Sequence, residues 1–288
     1  MTEKNSLSSY DEIKQLIADP KLRIKLYDRL WGASDVLITN TAEELFPLIP
    51  KIDGDEFASR LKRYEDASVD LTVAMFLIGL WGTLDHQPSI AIPAIQFSKQ
   101  LGENTPSNKL ISLRLYPLVL LMYALGIGAT IANNYSILYT FFHSTFRILP
   151  YPYRNISLVY SIEEKFRPAR ELFGLLNKDS SNYLFDLFNN MLKDVFLLGN
   201  EFEGTFERFE AIYALEYAHE RQKITGNIWV PSGKYSRGDE PNSLSLLSDE
   251  ASHKKESWIL LTAGFFDGSY ERFEQIATQC TQALRSRY

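Results

Sequence analysis

From Leu115 to Phe146 the chain carries no Asp, Glu, Lys or Arg, and Arg114 and Arg147 bracket the run. A stretch this apolar has two stable homes, the centre of a protein core or the interior of a bilayer. Its first part, Leu115 to Ala132, approaches the length of a membrane span. Three features favour the core. Asn133-Asn134 interrupts the run where a helical hairpin would turn, Gly126, Gly128, Ser136, Thr140, His143 and Ser144 dilute it, and Pro117 suits a helix start. The expectation is a buried helical hairpin, 109–132 and 135–146, with a membrane-associated protein held through 115–146 as the rival.

The rest of the chain reads as helix as well. Apolar residues at helical spacing predict a short helix over 11–18, ending before Pro20. A second helix from Leu22 places Tyr27, Leu30, Trp31, Ser34, Leu37, Ile38 and Leu45 inward. Asp53-Gly54-Asp55 is a turn and cap opening a long helix through Phe57, Leu61, Tyr64, Val73 and Leu80, broken by Gly82 to Pro88. A helix over 89–100 is expected to bend at Pro93, residues 102–108 form a loop, and Pro150, Pro152 and Pro168 punctuate an irregular stretch. From Asn182, Leu184, Leu187, Phe188, Met191, Val195 and Leu198 make a further stripe. No sustained period-two alternation occurs, so the fold class is all-α.

Within this pattern one sentence is written twice. Phe202-Glu-Gly-Thr-Phe-Glu-Arg-Phe-Glu-Ala-Ile212 and Phe266-Asp-Gly-Ser-Tyr-Glu-Arg-Phe-Glu-Gln-Ile276 match at seven of eleven positions. Each copy reads as a Gly-containing turn opening an amphipathic helix, with Thr205 or Ser269 as the cap. Repetition of a turn-plus-helix unit predicts an irregular helical-repeat, tetratricopeptide-like array, with an ordinary helical bundle as the alternative. The expected division is 1–150 and 151–288, or one continuous domain, with an irregular insert over 225–242 whose Gly226, Pro231, Gly233, Gly238 and Pro241 exclude a helix. Thr225-Gly226-Asn227 before Ile228-Trp229-Val230 permits a tiny hairpin.

Composition narrows the function. A formal net charge of −6 and a pI near 5.4 disfavour a general phosphate binder, and nucleic acid is not an expected partner. A single cysteine, Cys280, excludes an internal disulfide framework, which suits a reducing cytoplasm, and it falls on the inward stripe of the last helix. The polar start, Met1-Thr-Glu-Lys-Asn-Ser, lacks the apolar core of a signal peptide.

Chemistry-bearing groups are few. Glu216–His219 and Glu250–His253 both fit Glu-x-x-His, the pair that di-iron carboxylate bundles project inward from two helices. Both lie in polar surroundings, and their expected state is a solvated surface pair; a metal-dependent helical enzyme using these four residues is the alternative function. His219-Glu220 fails as a zinc-protease motif because Lys223 stands where the second His belongs. His86, after Asp85, reads as turn polarity, and His143 as a hydrogen-bonded core histidine. No phosphate-binding loop, dinucleotide fingerprint or nucleophile elbow is present, so no catalytic residue and no cofactor is assigned. Two basic groupings interleave with aromatics: Lys165-Phe-Arg167-Pro-Ala-Arg170 with Arg154 upstream, and Lys234-Tyr-Ser-Arg237 in the insert. Of these, Lys234, Arg237, Arg167 and Arg170 are the candidate binding residues, Lys234 and Arg237 first, because binding groups often sit on loops over rigid scaffolds.

Three segments, Leu115–Ala129, Ile228–Tyr235 and Thr262–Phe273, resemble the helical C-terminal region of multidomain bacterial antiphage defence proteins. In that family sirtuin-like, TIR or nuclease effectors are attached to helical sensing or scaffold regions. The matching segments are structural, so no catalytic residue carries over, and the resemblance implies a sensor or adaptor role. The expected function is a non-enzymatic cytoplasmic scaffold whose partner is another protein, an effector subunit or a second copy of the chain.

Overall fold

The computed structural model describes residues 3–100, 108–146, 156–192, 201–237 and 242–286. It divides into two compact units, Met1–Lys178 and Asp179–Tyr288. The division falls between Lys178 and Asp179 instead of after residue 150, so the stretch punctuated by Pro168 belongs with the first unit. The expectations for 102–107, Pro150, Pro152, Arg154, Val195, Leu198, Gly238 and Pro241 lie outside the described residues.

The first unit runs α1 (Glu3–Ala18), α2 (Arg23–Asn40), α3 (Gly54–Trp81), α4 (Gln87–Gln100), α5 (Lys109–Leu113), α6 (Tyr116–Ala132) and α7 (Tyr135–Phe142). Two-residue strands β1 (Thr145–Phe146) and β2 (Ile156–Ser157) then pair antiparallel before α8 (Leu158–Arg170) and a 3₁₀ segment at Glu171–Leu176. The fold is all-α, and this ladder is too short to add a layer.

The axis of the unit is α3 packed along α6. Asp53 starts α3 by accepting a hydrogen bond from the Glu56 backbone N–H at 2.9 Å. The helix becomes wholly buried from Leu71 to Gly79. Pro117 sits in the first turn of α6, where its missing N–H has no helical partner to lose, and every residue from Tyr116 to Thr130 is buried. Asn133 ends α6 in the left-handed region at φ 52°, as Asn tolerates. The Asn134 amide nitrogen donates to the Gly79 and Gly82 carbonyls at 3.1 and 2.8 Å, pinning the hairpin turn onto the end of α3. The stretch Lys109–Ala132 is long and apolar enough to cross a membrane, and 89% of its most apolar window is buried inside the protein. At one end of the axis the Tyr116 hydroxyl donates to Glu65 at 2.9 Å, and burial pushes the neighbouring Tyr64 hydroxyl pKa well up.

The second unit contains α9 (Ser180–Leu192), α10 (Glu201–Thr225), α11 (Ser243–Lys254), α12 (Ile259–Thr262) and α13 (Tyr270–Arg285). α10 is its spine: from Phe209 to Glu220 every residue is buried. α9, α11, α13 and the segment 226–237 pack around it. Cys280 is buried on the inner face of α13, where its spacing put it.

The two copies of the repeated sentence do not share a backbone. In the second, Phe266, Asp267 and Gly268 are all left-handed, at φ 54°, 55° and 70°, and Ser269 caps α13 by accepting from the Arg272 N–H at 3.2 Å. In the first, Phe202-Glu-Gly-Thr205 is already helix, and the Thr205 hydroxyl donates back to the Glu201 carbonyl at 3.0 Å. Thr205 is therefore not a cap. The expected hairpin is also absent: Ile228–Val230 forms no strand.

Candidate functional site

All four basic residues singled out from sequence are held in ion pairs within their own unit. Arg170 meets Glu163 with two nitrogens, at 3.1 and 2.6 Å, while Glu163 is fully buried. This is the bidentate geometry a guanidinium forms with a carboxylate. One turn away Arg167 pairs with Glu164 at 3.4 Å. The Lys234 ammonium contacts Glu203 at 2.7 Å and lies 4.5 Å from the centroid of Phe185. Arg237 bonds Asp179. Burial would raise the Asp179 carboxyl, but Arg237 and the Asn182 N–H outweigh it and hold it below the usual carboxylate range.

Lys234 and Arg237 thus fasten the irregular segment to α9 and α10. Its central rivet is a residue the sequence reading passed over. Glu210 is buried on α10, and its Oε2 accepts from the Ser181 hydroxyl at 2.8 Å and from the Lys234 backbone N–H at 2.9 Å. Gly233 leaves the space for this: a β-carbon there would stand 2.5 Å from the same oxygen. Nearby, burial and the adjacent Glu203 push the Glu207 carboxyl upward. The signal for Glu210 was present as an acid inside the apolar stripe Phe206–Phe209–Tyr213, where an unpaired charge would be costly.

The two Glu-x-x-His pairs separate sharply. Glu216 and His219, expected at the surface, are fully buried on α10. Glu216 Oε2 accepts from the Phe266 backbone N–H at 3.3 Å and so holds the left-handed turn. Arg272 Nε donates to His219 Nδ1 at 3.1 Å. A guanidinium offers no lone pair, so Nδ1 is the unprotonated nitrogen and the neutral ring carries its proton on Nε2. Nε2 points to Asp267 Oδ2 at 3.4 Å, and Lys223 bridges Asp267 and Glu220 at 3.0 Å each. Burial raises the Asp267 carboxyl, but Lys223, by hydrogen bond and charge, helps to outweigh it and leave it low; Asp267 and Glu220 in turn raise the Lys223 ammonium against its own burial.

A metal-binding imidazole needs a free lone pair on one nitrogen and donates from the other. His219 has its lone pair committed to Arg272. Glu250, on α11, is bonded by Arg208 at 2.6 Å and by Lys254 at 2.9 Å, and His253 is exposed with Nδ1 2.7 Å from the Asp249 carbonyl. These four residues do not compose a di-iron set. His86 is buried and serves the turn it belongs to: its Nδ1 accepts from the Thr83 N–H at 2.9 Å. His143 is half-buried after α7, its ring stacked on Tyr139 at 4.1 Å.

What remains open is surface. Along α2, Leu26, Leu30, Ser34 and Leu37 face the core, whereas Ile24 is 75% exposed, Tyr27 36% and Trp31 39%. Tyr27 and Trp31 were expected inward, and so was Leu45, which is exposed. The core-facing arc of α2 is narrower than its apolar stripe, so its flank faces outward. On the second unit a groove of about 460 Å³ lies between α11 and α13, lined by hydroxyl and acidic groups including Ser252, Asp249, Glu274 and Thr281.

Comparison with family models, with curated proteins and with solved structures yields no match.

Proposed function

We propose that this chain is a non-enzymatic helical scaffold or adaptor that binds another protein. One observation carries the reading: the apolar flank of α2, with Ile24, Tyr27 and Trp31, lies exposed along the helix. Exposed aromatic and aliphatic groups clustered on one face are the material of interface anchors. The charged groups best placed for chemistry support it from the other side, because Glu210, Glu216, His219 and Arg272 serve internal contacts. The resemblance of three segments to antiphage defence proteins makes an effector protein the partner to seek first.

The test is capture of a partner by the tagged chain from the cells that make it. A second protein in fixed ratio is expected, undiminished when Glu250→Gln and His253→Asn are combined. Recovery of the chain alone, or an activity that disappears with those two side chains, would defeat the reading.

A further inference from the structure

The exposed flank of α2 has a heptad rhythm. Ile24, Trp31 and Ile38 stand seven residues apart, and Tyr27 lies three after the first. At about 100° per residue these four occupy an arc of roughly 60° beside the core-facing residues. Tyr27 stands at the inner edge, Ile38 beside it is half-buried, and the Tyr27 and Trp31 rings are stacked with centroids 6.0 Å apart. The outer edge of the arc carries Asp28 and Asp35, again seven apart, both exposed and in no ion pair among the described residues. In coiled-coil terms Ile24, Trp31 and Ile38 are a positions, Tyr27 is the one exposed d, the next d, Ser34, faces the core, and the two acids are e. Lys25 and Arg29 lie further round the helix, so the charge next to the seam is negative.

The geometry points to a specific occupant: a partner helix with aliphatic residues at a and d and Lys or Arg at the positions flanking them. This deepens the scaffold reading and rests on it. The seam from Ile24 to Ile38 is about 21 Å long, some four helical turns, which matches a helix laid alongside. Tyr27 and Trp31 offer large contact area with only two χ angles each, so little side-chain freedom is lost on docking. Acids at e select bases on the facing helix.

A second copy of this chain does not satisfy the same seam. Antiparallel pairing would set e against e, opposing Asp28 and Asp35 to their own images. Parallel pairing would set those acids against the g positions, which are the core-facing Leu30 and Leu37. Neither arrangement compensates the charge.

The probe is a 21-residue synthetic helix of three heptads with Leu at a and d and Lys at e and g, whose own lysines oppose self-pairing; a Glu version is the control. Titration by calorimetry should show the Lys helix binding the wild-type chain and the Glu helix failing to bind. Combining Asp28→Lys with Asp35→Lys should weaken the Lys helix by about tenfold and admit the Glu helix, as loss of two ion pairs plus repulsion implies. The pair Glu201→Lys and Glu256→Lys, a matched charge change at exposed sites elsewhere, should leave binding unchanged. Ile24→Glu, at a site too exposed to threaten folding, should abolish it.

No binding of the Lys helix, or equal binding by the Asp28/Asp35 variant, overturns the assignment. So does a wild-type dimer that Ile24→Glu dissolves, which would give the seam to a second copy. A native partner captured equally by wild type and the Asp28/Asp35 variant would remove this seam while leaving the scaffold reading intact.

Discussion

Gly79 of α3 and Gly128 of α6 cross at backbone contact. A β-carbon on Gly79 would lie 2.2 Å from the Leu125 carbonyl oxygen, and one on Gly128 would lie 2.2 Å from the Phe76 carbonyl oxygen. Both obstacles are main chain on buried helices, so neither can move aside without separating the two helices that form the core of the first unit. Gly79→Ala and Gly128→Ala should each cost about 3 kcal/mol or more, the upper range for overpacking. Urea denaturation monitored by circular dichroism measures this; a midpoint shift no larger than that of Gly32→Ala, where nothing stands within 4 Å, would contradict it.

Glu210 fastens the irregular segment of the second unit. Glu210→Ala leaves the buried Ser181 hydroxyl without its acceptor and the Lys234 N–H with Ser181 Oγ alone, a loss of roughly 2–3 kcal/mol for hydrogen bonds to a charged group. Limited proteolysis should then cut within 226–237 faster than in wild type. Gly233→Ala should act in the same direction, because its methyl group takes the place of the carboxylate oxygen. Unaltered cleavage in both variants would show that the segment is held by other means.

Acid should loosen the second unit through Asp179 and Asp267. Both carboxyls are held below their ordinary value in the folded chain. A depressed folded pKa contributes stability that is complete above the unfolded value, near 3.9, and is lost as pH falls through the folded one. The stability difference between wild type and Asp179→Asn should therefore be present at neutral pH and shrink below about pH 4. Arg237→Ala should reduce that pH dependence by removing the partner of Asp179. A difference that persists unchanged into strong acid would contradict the assignment.

His219 should be found as the Nε2–H tautomer. Nitrogen-15 spectra of the labelled imidazole report which ring nitrogen is protonated, and Arg272→Ala should release the restriction by removing the donor to Nδ1. Zinc added in excess should leave the His219 resonances in place. A metal-dependent shift of this ring, or an Nδ1–H tautomer, would restore the carboxylate–histidine alternative.

The helices were legible because their signals are local. Asp53 stands directly before α3, Asn133-Asn134 directly after α6, and the stripes between them follow the 3.6-residue period. The divergence of the repeated sentence was not legible, for the turn at Phe266–Gly268 is secured by groups far upstream. Glu216 holds the Phe266 N–H, and Lys223 holds Asp267. Nothing within eleven residues encodes those partners, so near-identical words fold once as turn and once as helix. The same limit applies to charge. Lys234 and Arg237 could be seen to interleave with aromatics, but Glu203 and Asp179, which receive them, are distant in sequence. On α2 the period gave the helix but not which arc of a wide stripe faces the core, and Tyr27 and Trp31 fell on the outer side.

Native mass spectrometry of the chain isolated gently from its own cells tests the scaffold reading most directly. The account predicts a complex of fixed composition containing a second, different polypeptide, which dissociates when Ile24 is replaced by Glu. A chain found only at its own mass of 33.1 kDa, carrying a tightly held metal or small molecule in place of a protein, would contradict it.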